Sequence, residues 1–275
     1  MSFQPVIPLG GYAGWTFLQR TRETQQQAFE ASPQLARNVA YFEENIGAVQ
    51  TAEELVGDRR LLSVALGAFG LDDDINNKYF LQKVLEDGTL DPAALGNRLS
   101  DKRYLAFSQA FGFGDFATPR TVLSDFPAEI AGAFKERQFE IAVGNQDQNM
   151  RLAMSLERSL TEIAGKDTTD NGRWFSVMGE PPLRTVFETA LGLPSSVGAL
   201  NLDQQLATFR EKAQARFGDA EVAQFADPAK REDLVRLFLL RAGASASVAG
   251  TSPQSAALTL LQSGGSAGGI INSML

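Results

Sequence analysis

Two stretches of the chain repeat one pattern of apolar and polar positions. Residues 57–71 (GDRRLLSVALGAFGL) and 179–193 (GEPPLRTVFETALGL) align without a gap and share Gly57/Gly179, Leu61/Leu183, Val64/Val186, Ala68/Ala190, Gly70/Gly192 and Leu71/Leu193. Their apolar side chains (Leu61, Val64, Ala65, Ala68 and Phe69; Leu183, Val186, Phe187, Ala190 and Leu191) fall three or four residues apart. That spacing makes one buried helix face. Each copy then stops at a glycine followed by an apolar residue, the mark of a left-handed helix end with the next side chain folded back on the last turn. A weaker third copy at 101–113 closes the same way, so Gly70, Gly112 and Gly192 are read as helix-terminating glycines.

Proline and small polar residues punctuate the rest. Ser32-Pro33, Asp91-Pro92, Asp227-Pro228 and Ser252-Pro253 place an N-cap before proline at the first helical position, and Thr51-Ala-Glu-Glu54 spells a capping box. These signals predict helices at 33–47, 51–56, 58–69, 74–86, 92–99 and 101–111. Residues 113–125 form a connection, and the helical pattern resumes at 126–163 with a bend or break at Gly144-Asn145. A short helix at 173–178 is expected to turn Trp174 and Phe175 inward. Further helices are predicted at 202–217, ending at Gly218, and 228–242, ending at Gly243. No alternating strand pattern competes. The expected fold is all-α, a multi-helix globular domain over 32–242 built from two related halves, 32–113 and 126–242.

The ends are unlike the middle. Residues 1–19 carry no charge, and residues 243–275 carry none either. The first 31 residues read as an apolar arm followed by a polar helical stretch with too few apolar residues for a buried helix. Residues 243–275 read as a flexible tail. Such segments either pack on their own protein or bind a partner, so Phe3, Val6, Ile7, Tyr12, Trp15, Leu260, Leu261, Ile270 and Ile271 are the candidate partner-binding residues. On that reading, removal of 1–19 or 244–275 leaves the helical core standing.

Composition narrows the chemistry. The chain has neither cysteine nor histidine, which excludes thiolate nucleophiles, Ser-His-Asp catalysis and the usual zinc ligands. Its formal charge of -8 does not suit a surface that tracks phosphates. Asp72-Asp73-Asp74 lacks the later glycine and glutamate of a calcium loop and reads as helix capping, and Gly264 to Gly269 lacks the lysine of a phosphate loop. No metal, cofactor or catalytic residue is expected, so an enzyme here would have to work with carboxylates. No apolar run reaches the length of a membrane span, and the first residues do not resemble a cleavable secretory signal.

Residues 76–88 (NNKYFLQKVLEDG), 95–104 (LGNRLSDKRY) and 110–113 (AFGF), with 139–145 (FEIAVGN) and 174–193, resemble a domain-of-unknown-function family found in alphaproteobacterial flagellar gene clusters. The likeness covers about residues 36–242. It implies a helical protein associated with the bacterial flagellum, of unknown molecular role. A protein partner is expected, flagellar subunits being the candidates, and the location expected is either the cytoplasm or the flagellum after export without a cleavable signal. The expected function is a non-enzymatic structural or interaction component binding through its apolar termini. A cytoplasmic assembly factor or export chaperone is one alternative, and a carboxylate-based enzyme another.

Overall fold

The computed structural model describes residues 3–250, which form thirteen α-helices and short 3-10 turns with no strand among them. The helices are α1 (Gly11–Glu30), α2 (Pro33–Asn45), α3 (Ala52–Gly57), α4 (Arg59–Phe69), α5 (Lys78–Asp87), α6 (Leu95–Arg98) and α7 (Arg103–Phe111). They continue with α8 (Phe126–Gly144), α9 (Gln148–Gly165), α10 (Asp170–Gly179), α11 (Pro181–Leu191), α12 (Leu202–Phe217) and α13 (Pro228–Gly250).

Each copy of the repeated stretch is a corner between two helices. Asp58 ends α3 and caps α4, its carboxylate accepting from the backbone N–H of Arg60 at 2.8 Å and of Leu61 at 3.1 Å. Glu180 holds the same place between α10 and α11. The far ends match: Gly70 (φ 69°, ψ 34°) and Gly192 (φ 69°, ψ 37°) are left-handed, and the following N–H reaches back from Leu71 to Leu66 O at 2.9 Å and from Leu193 to Glu188 O at 2.8 Å. This six-to-one bond is the Schellman closure, open at low cost only to glycine. Gly112 is left-handed too (φ 68°). The shared apolar residues Leu61, Val64, Ala68, Leu183, Val186 and Ala190 are all buried. α4 lies against α2 and α8, and α11 lies against α9 and α13.

The buried side chains make two clusters. One is built from α2 to α5, α7 and the first half of α8; the other from α9 to α13 with Trp15 and Leu18 of α1. α8 serves both: Phe126, Ile130 and Phe134 enter the first cluster, Phe139 and Val143 the second. A helix that turns different faces to the core along its length shows no single apolar stripe in its sequence. The helical pattern breaks at 145–147, where the Asp147 carboxylate accepts from the N–H groups of Asn149 (2.9 Å) and Met150 (3.4 Å) and so starts α9.

The structure corrects several expectations. Residues 11–30 form one continuous helix that buries Trp15, Leu18 and Gln25, although their composition is mostly polar. A few large side chains suffice when the rest of the face is held by hydrogen bonds. α5 begins at Lys78 because Asp72–Asp74 is spent on a 3-10 turn, and the expected 92–99 helix shrinks to Leu95–Arg98 because the Asp91 carboxylate holds the N–H of Ala93 in a turn (2.8 Å). Phe175 is exposed, while Trp174 takes the core position on α10 beside Val177 and Met178. α13 does not stop at Gly243 but continues to Gly250. Gly243 is followed by Ala244 and lacks the apolar residue that would fold back, and alanine-rich sequence favours the helix. Ser252-Pro253 and the apolar residues Leu260, Leu261, Ile270 and Ile271 lie outside the described residues.

The two kinds of left-handed helix end should separate in a stability measurement. A Cβ at Gly192 would stand 2.5 Å from Arg241 Nη1, whereas one at Gly218 (φ 83°) would meet nothing within 4 Å. Gly218→Ala should lower the urea unfolding free energy by about 1–2 kcal/mol, the cost of a left-handed alanine. Gly192→Ala should cost more, because the Arg241 cap must also move.

Candidate functional site

The first described residues are strapped onto α1. Val6 donates its N–H to Gln25 Oε1 at 2.6 Å and its carbonyl accepts from Gln25 Nε2 at 3.2 Å, so one buried amide fixes an extended segment at both polar groups. Gln146 Nε2 donates to the Pro5 carbonyl. The chain crosses so closely over α1 that a Cβ at Gly14 would lie 1.8 Å from Leu9 O. Only glycine admits that approach.

Beside this strap, α1 and α13 with Glu157 of α9 enclose a cleft of about 770 Å³ that opens to solvent. Trp15, Thr16, Gln19, Arg20, Glu157, Pro228 and Glu232 line it. Glu232 accepts from Tyr12 OH at 2.8 Å and from Trp15 Nε1 at 3.4 Å. Gln19 Nε2 donates to both Glu157 oxygens at 3.2 Å, and Arg22 Nη1 lies 3.3 Å from Glu157 and Arg22 Nη2 3.2 Å from Glu136. Burial pushes the Glu157 carboxyl above the ordinary range, against the hydrogen bond from Gln19 and the charge of Arg22. The Tyr12 phenol is raised as well, first by its hydrogen bond to Glu232 and then by burial. The carboxylates of the cleft are therefore already engaged by α1.

A more deeply buried polar layer lies between the two apolar clusters. Glu140, buried on α8, accepts from Arg158 Nε and Nη2 at 3.2 Å each. Burial opposes the charge on Arg158, but Glu140 outweighs it and holds the guanidinium above its usual pKa. Ser159 Oγ donates to Glu180 at 2.8 Å.

The residues singled out from sequence are dispersed. Gly70, Gly112 and Gly192 end α4, α7 and α11. Of the N-terminal candidates only Val6 is fully exposed, at 54%. Phe3 is half-buried, Ile7 and Tyr12 pack against the second apolar cluster, and Trp15 is completely buried. Trp15 is therefore a core residue that also binds Glu232, and it is not free to engage a partner. Glu157 and Glu232 went unmarked in the sequence because nothing local sets them apart from the other carboxylates; the cleft exists only once α1 docks.

The family described as "Protein of unknown function (DUF1217)" matches residues 68–230, more than half of the chain. No curated protein matches it. An X-ray crystal structure of an Agrobacterium tumefaciens protein is similar in fold, with a TM-score of 0.70 and 23% identity over 86% of this chain and 97% of that one.

The raised Glu157 carboxyl makes a prediction with a definite sign. The folded state holds this proton more tightly than the unfolded chain, so its contribution to stability is complete below the unfolded pKa and is lost as pH rises through the folded one. Chemical unfolding of wild type and Glu157→Gln should diverge as pH rises above the ordinary glutamate value, with the variant gaining relative stability as pH increases. Parallel curves would show that burial does not govern this carboxyl.

Proposed function

We propose, from the premise that the chain belongs to this DUF1217 family, that it is a non-enzymatic protein-interaction component of the bacterial flagellum. The flagellar half of that reading rests on the resemblance carried by residues 76–113 and 139–193. The interaction half rests on one observation, a pair of large apolar side chains exposed to water on loops that hydrogen bonds tie together. Leu90 is 73% exposed and Phe116 53% exposed. Both stand on loops that Asp115 ties together, its carboxylate accepting from Thr89 N at 2.5 Å, Thr89 Oγ1 at 2.8 Å and Leu90 N at 3.2 Å.

The backbone is shaped for the same end. Gly88 and Gly114 let the loops touch, since a Cβ on Gly114 would come within 2.4 Å of Gly88 N. Phe116 lies across Gly112, its Cδ2 only 2.8 Å from where a Cβ would be, so the helix-ending glycine of α7 also seats this aromatic ring. Fixing apolar side chains before binding removes part of the ordering entropy that association otherwise costs. Aromatic and aliphatic anchors of this kind dominate interface energies.

The test is a fractionation. In strains with working and disabled flagellar export, the protein should be recovered from hook-basal bodies or medium only when export works. The double variant Leu90→Asp/Phe116→Asp should keep wild-type helicity and lose about 1 kcal/mol of unfolding free energy, because Phe116 no longer covers Gly112, and it should lose that association. Strictly cytoplasmic protein in both strains would replace this reading with an assembly factor or export chaperone. Unaltered association of the double variant would remove Leu90 and Phe116 from the interface.

A further inference from the structure

The two copies of the repeated corner close their helix ends with arginine, but they use different numbers of them. At the end of α11, Arg241 Nη1 donates to Ala190 O at 2.9 Å beside Gly192. At the end of α4 the same office is filled by Arg103, whose Nη1 donates to the Gly70 carbonyl while Asp101 accepts from its Nε and Nη2. A second guanidinium, Arg137 of α8, arrives at the same place. The point where a Gly70 Cβ would sit is 3.0 Å from Arg137 Nη1 and 3.6 Å from Arg103 Nη1.

Arg137 is surplus to the cap. No hydrogen bond or ion pair engages it among the described residues. The two carboxylates that act on it each hydrogen-bond another group: Glu140 with Arg158 and Glu180 with Ser159. Burial, and then the neighbouring charge of Arg158, lowers the Arg137 pKa to about 10. Glu140 and Glu180 oppose that shift through their charge, but neither makes a hydrogen bond or ion pair with Arg137, so its guanidinium donors are left without a protein acceptor among the described residues. The favourable end-dipole of α4 does not explain it, since Arg103 already occupies the Gly70 carbonyl.

We propose that Arg137 and Arg103, converging over Gly70, form a binding site for an oxyanion. Arg137 is the fork that grips it, and Arg103 supports it from the rim while remaining the helix cap. The planar guanidinium suits a two-oxygen partner, either a phosphate or the carboxylate of an acidic side chain. Gly70 has no side chain to stand between the two guanidinium groups.

Calorimetric or NMR titration of the full chain with inorganic phosphate and with acetate, each at ionic strength matched by chloride, tests this. At least one oxyanion should bind and shift resonances around Gly70, and Arg137→Gln should weaken it about tenfold, the loss expected for one charge-assisted hydrogen-bonded pair. Arg98→Gln, which removes an exposed charge on α6, should leave binding unchanged. Phosphate bound well above acetate identifies a phosphate site; comparable acetate binding identifies a carboxylate site. Should Arg137→Gln fail to fold, Arg137→Lys keeps the charge without the fork and should still weaken binding. Wild-type protein that takes up neither anion beyond chloride, or a folded Arg137 variant that binds as wild type does, overturns the proposal.

Discussion

The structure depends on α8 having to bury side chains in two directions. Its first half supplies Phe126, Ile130 and Phe134 to one apolar cluster, and its second half supplies Phe139 and Val143 to the other. A helix so placed ties the clusters to one rigid axis, and it brings Lys135, Glu136, Arg137 and Glu140 to the seam between them. Charges at a seam must be paired or hydrogen-bonded, because the cost of desolvating them is otherwise uncompensated. Glu140 meets this with Arg158, Glu136 with Arg22 and Lys135 with Glu30 at 3.2 Å. Arg137 does not, and the exception is what marks it.

The same constraint explains α1. The seam needs a cover that is apolar toward the clusters and polar along the edges, and α1 supplies both. Trp15 and Leu18 enter the second cluster, and Phe29 reaches both clusters, packing edge-on against Phe139 at 5.8 Å between centroids. Its polar residues Arg22, Glu30 and Gln19 then take partners on α8 and α9. A helix of this kind is stabilised by position more than by amphipathicity. Losing a buried tryptophan to alanine generally costs about 3–5 kcal/mol, so α1 belongs to the folded body rather than to a detachable arm.

That is also where the sequence was legible and where it was not. Local signals survived intact: the Thr51 capping box with Glu54, the Gly70 and Gly192 closures, the Gly218 stop and the break after Gly144 are all set by residues within one turn of each other. The all-helical fold class follows from the same local periodicity. What failed depended on distant surfaces. Polar α1 is helical and buried only because α8, α9 and α13 await it, and Phe175 turns outward because Trp174 claims the space beside Phe187 and Phe209. Glu157, Glu232 and Arg137 could not be told from other charged residues until Gln19, Tyr12 and Gly70, all distant in sequence, were brought to them.

The two corners show how a shared local solution can leave room for different uses. Both require a glycine in the left-handed conformation, and both place an arginine from a later helix beside it. In the second corner a single arginine is consumed by the carbonyl of Ala190, and the site is closed. In the first, Arg103 comes from α7 and satisfies the end of α4, so the arginine on α8 is freed from that duty. The extra segment that supplies Arg103 also carries Asp115, Leu90 and Phe116, the anchored apolar pair. Features that exceed what folding demands therefore gather in the first half of the chain, around α5 to α8, while the second half spends its equivalent residues on its own closure.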